Sequence, residues 1–438
     1  MKKKCINSIM LLFIISVINN NIQAQNNFFT QRLESSFWVK DQKRVTIPEK
    51  YKTFQLDLKT MQTFLFTLPS QQNIVNRKET PIMEIPMPDG SIAKFHVWER
   101  SIMEKGLAKQ FPTMKTYTGE GITDKTAVIV MDISEFGFHA MILSSVTGNV
   151  FIDQYDLETT TNYIAYYRRD LKRGSTLNEE GFGEFNKDVI PMPTVGEKFP
   201  TSQCRAATLR TYRLAVACTG EYAKAATGKA NPTVAQTLAK ITTTVNRVVG
   251  VYELELGIHM NLVANETSIV FTNPSTDPFT GNNNTGTLIN ESQTQITSII
   301  GSTNFDIGHT FSTGAGGLAG LGVVCNDAQK ASGITGTTTP TGDGYDIDYV
   351  AHEMGHQFSG NHTFNSATDN CSGNGNRTPA SAATNCEPGS GTTIMAYAGI
   401  CGTDNIGGLH QNPGAVGLQG WSDPQFHAAS LAEIYKYT

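Results

Sequence analysis

Short apolar, strand-like runs separated by turn signals fill much of the first half of the chain. IMEIPM and SIAKFHVW flank Pro88-Asp89-Gly90, a turn signal, and predict a hairpin. AVIVMDIS, GFHAMILSS and NVFIDQYD are further strand-like runs, with Thr147-Gly148-Asn149 between the last two. YIAYYRRDLKRG follows, and then VIPMPTVGEKFPTS at 189–202, a Pro/Gly-containing stretch that reads as a linker. Beyond it the pattern changes. LRTYRLAVACTGEYA (209–223) is an apolar strand running into a turn, and in the segment 233–256 apolar residues recur at three and four, the period of a long helix. GIHMNLVANETSIVF predicts one or two strands, TGTLINESQTQITSIIG another helix, FDIGHTFS and LAGLGVVC strands around a Gly-rich turn, and SLAEIYKY a last helix. Alternating strands and helices make this half α/β, and no internal repeat is present.

Charge divides the chain at the same place. From Arg205 onward there are 10 basic and 17 acidic side chains; the first 204 residues carry the other 24 and 22. A net acidic second half argues against nucleic acid as a partner. At the N-terminus, Lys2–Lys4, an apolar core from Ile9 to Ile18 and Ile22-Gln23-Ala24 have the form of a secretory signal peptide (1–24). The apolar run is too short to span a bilayer, and no other stretch approaches that length. The protein is therefore expected to be secreted, extracellular or at the cell surface. Six cysteines remain after the signal: Cys204, Cys218, Cys325, Cys371, Cys386 and Cys401. An even number in an exported chain favours disulfides, with 15 pairings open. No CxxC pair is present to suggest a cysteine zinc site.

The chemistry concentrates in DIDYVAHEMGHQFSGNHTF. This segment predicts a helix with Asp346 or Asp348 as N-cap and Gly360 as its end. His352 and His356, four apart, share a face and can bind one ion. Glu353, one residue on, lies beside that ion and can accept a proton from a metal-bound water. His362 comes six residues after His356; a break at Ser359-Gly360 turns the chain back to offer a third imidazole. Three His ligands with an open fourth position describe a catalytic zinc site. HExxH alone arises by accident, but the third His, the capping Asp and the export signal together argue against that. His96 and His139 read as ordinary strand positions, and His259, His309, His410 and His427 have no ligand spacing. Glu387 could be a structural acceptor. No loop has a Ca²⁺-ligand spacing.

HExxHxxxxxH followed by TTIMAYAGIC (392–401) resembles the metzincins, whose signature is an extended zinc motif and a Met-turn. LRTYRLAVACTGEYA and DIDYVAHEMGHQF are most similar to the adamalysin/reprolysin group, in particular its bacterial secreted branch. The resemblance spans residues 205–438. It implies an α/β (α+β) catalytic domain with a twisted mixed sheet and an active-site helix, one catalytic Zn²⁺ on His352, His356 and His362, Met395 as a structural base beneath the ligands, and polypeptide substrates. It also brings Ca²⁺ as a common companion of the fold. Tyr397, two residues after Met395, holds a place from which some metzincins stabilise the transition state; core packing is the other reading. LAGLGVV (318–324) falls where metzincins carry the strand that lines the cleft and pairs with substrate. One departure is Ser359 at a turn position that is usually Gly, where a positive φ would cost Ser about 1 kcal/mol or more.

A charge-rich, β-rich region (25–204) before a catalytic domain (205–438) resembles a propeptide that inhibits its own enzyme. Lys172-Arg173 and the segment around Cys204-Arg205 are candidate processing points. Cys204 could place a thiolate on the zinc or form a disulfide. The leading expectation is a secreted zinc endopeptidase made as a zymogen, with Glu353 as general base toward zinc-bound water. The alternatives are a catalytically inactive, zinc-stabilised binding protein on the same fold, favoured only by Ser359, and an unrelated zinc hydrolase, which the Met-turn disfavours.

Overall fold

A computed structural model of the chain describes residues 28–37, 43–44, 46–171, 183–185, 208–314, 316–375, 384–406 and 421–438. The expected signal peptide, the 189–202 linker, both candidate processing points, Cys204 and His410 lie outside these residues.

The first half contributes β1 (Phe29–Gln31), β2 (Lys52–Leu56), β3 (Ile82–Pro86), β4 (Ile92–Glu99), β5 (Lys115–Gly121), β6 (Val128–Ser134), β7 (Gly137–Leu143), β8 (Val150–Gln154) and β9 (Asn162–Tyr167). They form one antiparallel sheet in the order β1-β2-β9-β8-β7-β6-β5-β4-β3. The predicted hairpin is β3–β4, with Gly90 at φ 95° in its turn. Both faces of this sheet are covered, which explains why runs such as AVIVMDIS are apolar almost without interruption. On one face Ile129, Met131, Phe138, Ile152 and Tyr163 pack with Met61 and Leu65 of α1 (Leu58–Leu65). On the other, Val130, Met141, Phe151 and Tyr166 join a core that continues into the second half of the chain.

That second half is built on a six-stranded mixed sheet. β11 (Arg210–Cys218), β12 (Ile258–Leu262), β13 (Ile307–Ser312) and β15 (Gly333–Gly336) run parallel; β14 (Gly316–Gly320) is antiparallel to β15, and β10 (Gly183–Phe185) pairs parallel with β14. The order is β10-β14-β15-β13-β11-β12. Alternation along β11 assigns the layers. Leu214, Val216 and Cys218 face the shared core, whereas Ala215 and Ala217 face Leu288, Ile289 and Ile296 of an outer helix, Thr285–Ile300.

Between the two sheets lies the predicted long helix, Val234–Leu256, closed by a Thr233/Gln236 capping box and by Gly257 at φ 64°. Its position sandwiched between two sheets buries residues on all sides, Thr242, Thr244, Asn246 and Arg247 among them. Gly250 lies close against the first sheet: a Cβ there would lie 2.7 Å from Val130 Cγ1.

GIHMNLVANETSIVF, expected to form one or two strands, forms one, β12, followed by a 3₁₀ turn at Glu266–Ile269. One segment expectation needs correction. LAGLGVVC is strand only to Gly320, because the backbone N–H groups of Gly322 and Val323 donate to His356 and Gln357 carbonyls at the end of the helix that carries the histidine motif. No helix among the described residues is long and apolar enough to cross a membrane.

If the helix and first sheet are one packed core, Gly250→Leu should overpack it and lower stability by about 1–3 kcal/mol, read by denaturant unfolding of the whole chain.

Candidate metal centre

The helix that carries the motif runs from Gly344 to Gln357, its first turns (Gly344–Ala351) with π-type hydrogen bonding and its remainder (His352–Gln357) α-helical. Neither Asp346 nor Asp348 caps it, contrary to the sequence reading. The N-cap is Asp343, without a side-chain cap bond, and both aspartates lie inside the helix as buried ion-pair partners. Arg247 pairs with Asp346 at 2.9 Å, and Arg168 pairs with Asp343 and Asp348. A buried cation accounts for each carboxylate better than a solvent-facing cap would.

The helix ends one residue earlier than expected. Ser359, not Gly360, takes the left-handed conformation at φ 78°. Its N–H donates to His356 O at 2.7 Å, and Gly360 N–H donates to Gly355 O at 2.8 Å. Glu433 on the C-terminal helix (Ala428–Tyr437) then holds the emerging chain, accepting from Asn361 N at 2.9 Å and Nδ2 at 2.7 Å. The Ser359 hydroxyl is buried without a hydrogen-bond partner.

This turn brings His362 back onto His352 and His356. The three Nε2 atoms lie 3.1–3.2 Å from one another, and the residues are 1–3% exposed. The distance resembles a hydrogen bond but cannot be one. Each Nδ1 faces a backbone carbonyl: His352 to Ile394 O (2.6 Å), His356 to Gly360 O (2.7 Å) and His362 to Asn374 O (2.7 Å). A carbonyl only accepts, so each Nδ1 carries the proton and each Nε2 a bare lone pair. Three lone pairs converging in a buried site repel unless a cation sits among them. Ligands 2.0–2.1 Å from one ion at tetrahedral angles lie roughly 3.3–3.4 Å apart, close to the spacing found. The three histidines are also the one group of metal-capable side chains among the described residues. Burial pushes His352 down to about 4, and burial together with its two histidine neighbours holds His356 well below the usual range. Both are therefore neutral at pH 7 and need shed no proton to bind a metal.

The Met-turn lies beneath this group. Met395 is fully buried against Gly355, where a Cβ would meet its sulfur at 2.4 Å. Its carbonyl accepts from Thr363 N. Glu387 fastens the Met-turn to the His362 segment, accepting from Thr392 N, Thr393 N, Thr363 Oγ1 and Thr393 Oγ1. Cys371 and Cys401 form a disulfide in the same region; Cys218, Cys325 and Cys386 are free thiols. Tyr397 packs with its ring centroid 4.6 Å from His362 and 4.4 Å from Phe364.

Glu353 is 2% exposed and leans on β14: a Cβ on Gly317 would fall 2.0 Å from its Oε1. The Gly-rich GAGGLAG run thus had a cause, since glycine within a strand marks a close approach. His309 is a residue the sequence gave no reason to single out. Fully buried, its Nδ1–H donates to Gln357 Oε1 (2.9 Å) and its Nε2 accepts from Thr335 Oγ1 (2.8 Å), while Gln357 Nε2 donates to Gly308 O. This network locks the residue after His356 onto the sheet. Of the other histidines, His139 bonds Asp132, His259 bonds Glu253 and Asn261, and His427 caps the last helix.

Two outcomes follow. Ser359→Gly should raise stability by about 1 kcal/mol, since it removes both a strained φ and a buried unpaired hydroxyl; thermal unfolding reads it. Burial pushes His309 down to about 4, below its unfolded value of 6.5. The unfolded chain therefore binds the extra proton first, and stability is lost as pH falls from about 6.5 toward 4. His309→Gln should flatten that part of the profile of midpoint temperature against pH.

No curated protein matches the chain. Residues 208–410 match the family model described as Metallo-peptidase family M12B Reprolysin-like. The match covers five of the sheet's six strands, the three histidines, Glu353 and the Met-turn, and with the mixed α/β fold it identifies the second half of this chain as a reprolysin-like metzincin metallopeptidase domain.

Proposed function

We propose that this protein is a secreted zinc endopeptidase, made as a zymogen, with His352, His356 and His362 holding one Zn²⁺ and Glu353 as general base. The observation that carries the metal reading is the convergence of three proton-free Nε2 atoms in a buried site. Zinc bound there would polarise the scissile carbonyl and lower the pKa of a water. Glu353, packed against Gly317 at the edge of that site, takes a proton from the attacking water and passes it to the leaving amine. The Nδ1–carbonyl bonds hold the three imidazoles in one tautomer and orientation through the cycle. The substrate is polypeptide, laid along β14 by strand addition. Tyr397, stacked on Phe364 beside His362, is a candidate to steady the developing oxyanion.

One feature supports latency and a second supports secretion. β10 pairs with β14 at Gly183↔Leu318, the position next to Gly317, so it covers the edge a substrate would need. The N-terminal sequence has the form of an export signal. An intact Glu353 favours the enzyme over a zinc-stabilised binding protein on the same fold.

Processed protein should contain one zinc per chain and cleave casein. Glu353→Ala should keep the zinc and lose roughly 10²–10⁴-fold or more in kcat. His352→Ala should lose the metal itself. Zinc in both wild type and Glu353→Ala, with cleavage in neither, would favour the binding-protein reading. Gly317→Ala should keep zinc but lower kcat, because its methyl group would displace the Glu353 carboxylate.

A further inference from the structure

We propose that the globular part of the first half, residues 29–171, is a permanent component of the mature enzyme. In this account activation releases the short strand Gly183–Phe185 from β14, and the sheet domain before it stays in place. The inference rests on the zymogen reading for its account of activation, but its structural basis is independent of zinc.

An inhibitory domain built to leave should meet its enzyme through a surface that both partners can expose to water. The interface here has the opposite character. Val130, Met141, Phe151 and Tyr166 belong to the same apolar core as the long central helix, and Gly250 admits Val130 at a distance no side chain would allow. Separation would expose both sides of that core.

The charges are harder still to part. Arg168, 5% exposed, pairs with Asp343 and Asp348 on the helix that leads into His352, and its Nε donates to Ser422 O at 2.6 Å. Arg247, 2% exposed, reaches the other way and pairs with Asp153 of the first sheet as well as Asp346. Arg100, 3% exposed, pairs with Glu253 on the central helix and donates to Asn246 Oδ1. Breaking a buried pair by removing one partner strands the other, so these contacts hold the halves together and specify one docking geometry.

The first half also closes the far edge of the catalytic sheet. Leu262 of β12 donates its N–H to Ile102 O, and Glu104 N–H donates to Leu262 O. An uncovered strand edge invites unwanted pairing, so the catalytic sheet depends on this cover. At the opposite edge, by contrast, β10 holds β14 through three residue pairs among the described residues. The structure thus couples a large, buried, charge-locked interface with a small strand at the cleft. Only the second is built to be released. Arg168 is a positioning residue in this account, acting on the zinc helix through Asp343 and Asp348.

The test uses the full chain with specific-protease sequences placed at Lys172-Arg173 and Cys204-Arg205. After both cuts, the two large pieces should co-elute on size exclusion at the volume of the uncut chain, in 0.15 M and in 1 M salt, while casein cleavage appears. Arg168→Met should weaken their association by on the order of 10²- to 10³-fold, whereas Arg169→Met, at an exposed neighbour, should not. Wild-type pieces that separate on cutting, with activity appearing only in the piece freed of residues 29–171, would overturn the proposal, and this arm needs no variant to fold. Equal association of the two arginine variants would overturn the assignment to Arg168. Zinc content of the same sample keeps the two readings apart. Pieces that stay together without zinc or cleavage would sink the proposed function and leave the interface standing.

Discussion

Three imidazole lone pairs pointing at one another cannot be left in a protein interior without something positive between them. The rest of the second half can be read as the apparatus that enforces this arrangement. The helix supplies two of the rings, a turn at Ser359 brings the third, and three backbone carbonyls decide which nitrogen of each ring carries the proton. Those carbonyls come from three different segments: Ile394 from the Met-turn, Gly360 from the turn itself, Asn374 from the loop beyond. Glu387 and Glu433 hold the same segments, each as a buried carboxylate accepting from backbone and side chain together. The geometry of the site is thus distributed over about eighty residues of chain.

Most of this was legible from residue types and spacing, because local rules governed it. The four-residue spacing of His352 and His356 fixes their common face, and the resemblance of TTIMAYAGIC to the metzincin signature supplied the Met-turn. Strands β11 and β13, the central helix and the β3–β4 hairpin lie where periodicity and turn signals put them. What failed was decided by tertiary partners. Asp346 and Asp348 look like caps in sequence, but a cap is only preferred when no buried cation waits for the carboxylate; Arg247 and Arg168, far away in the chain, took them instead. Ser359 adopts a conformation that its own backbone preference resists, since the position of His362 demands it. Of the six cysteines, only Cys371 and Cys401 form a pair among the described residues, and parity alone could not have selected it.

The relation between the halves was the least visible feature. Charge density and strand content mark two regions, yet one apolar core runs through both. Continuous apolar runs in the first half were the available signal: a strand buried on both faces needs a second layer, and the second half provides it. Composition told where the chain changes character, not whether its parts would come apart.

X-ray absorption at the zinc edge, on full-length protein loaded with the metal, tests the central claim most directly. The account predicts three imidazole nitrogens at about 2.0–2.1 Å. Fewer than three imidazoles, or no bound zinc, would contradict it.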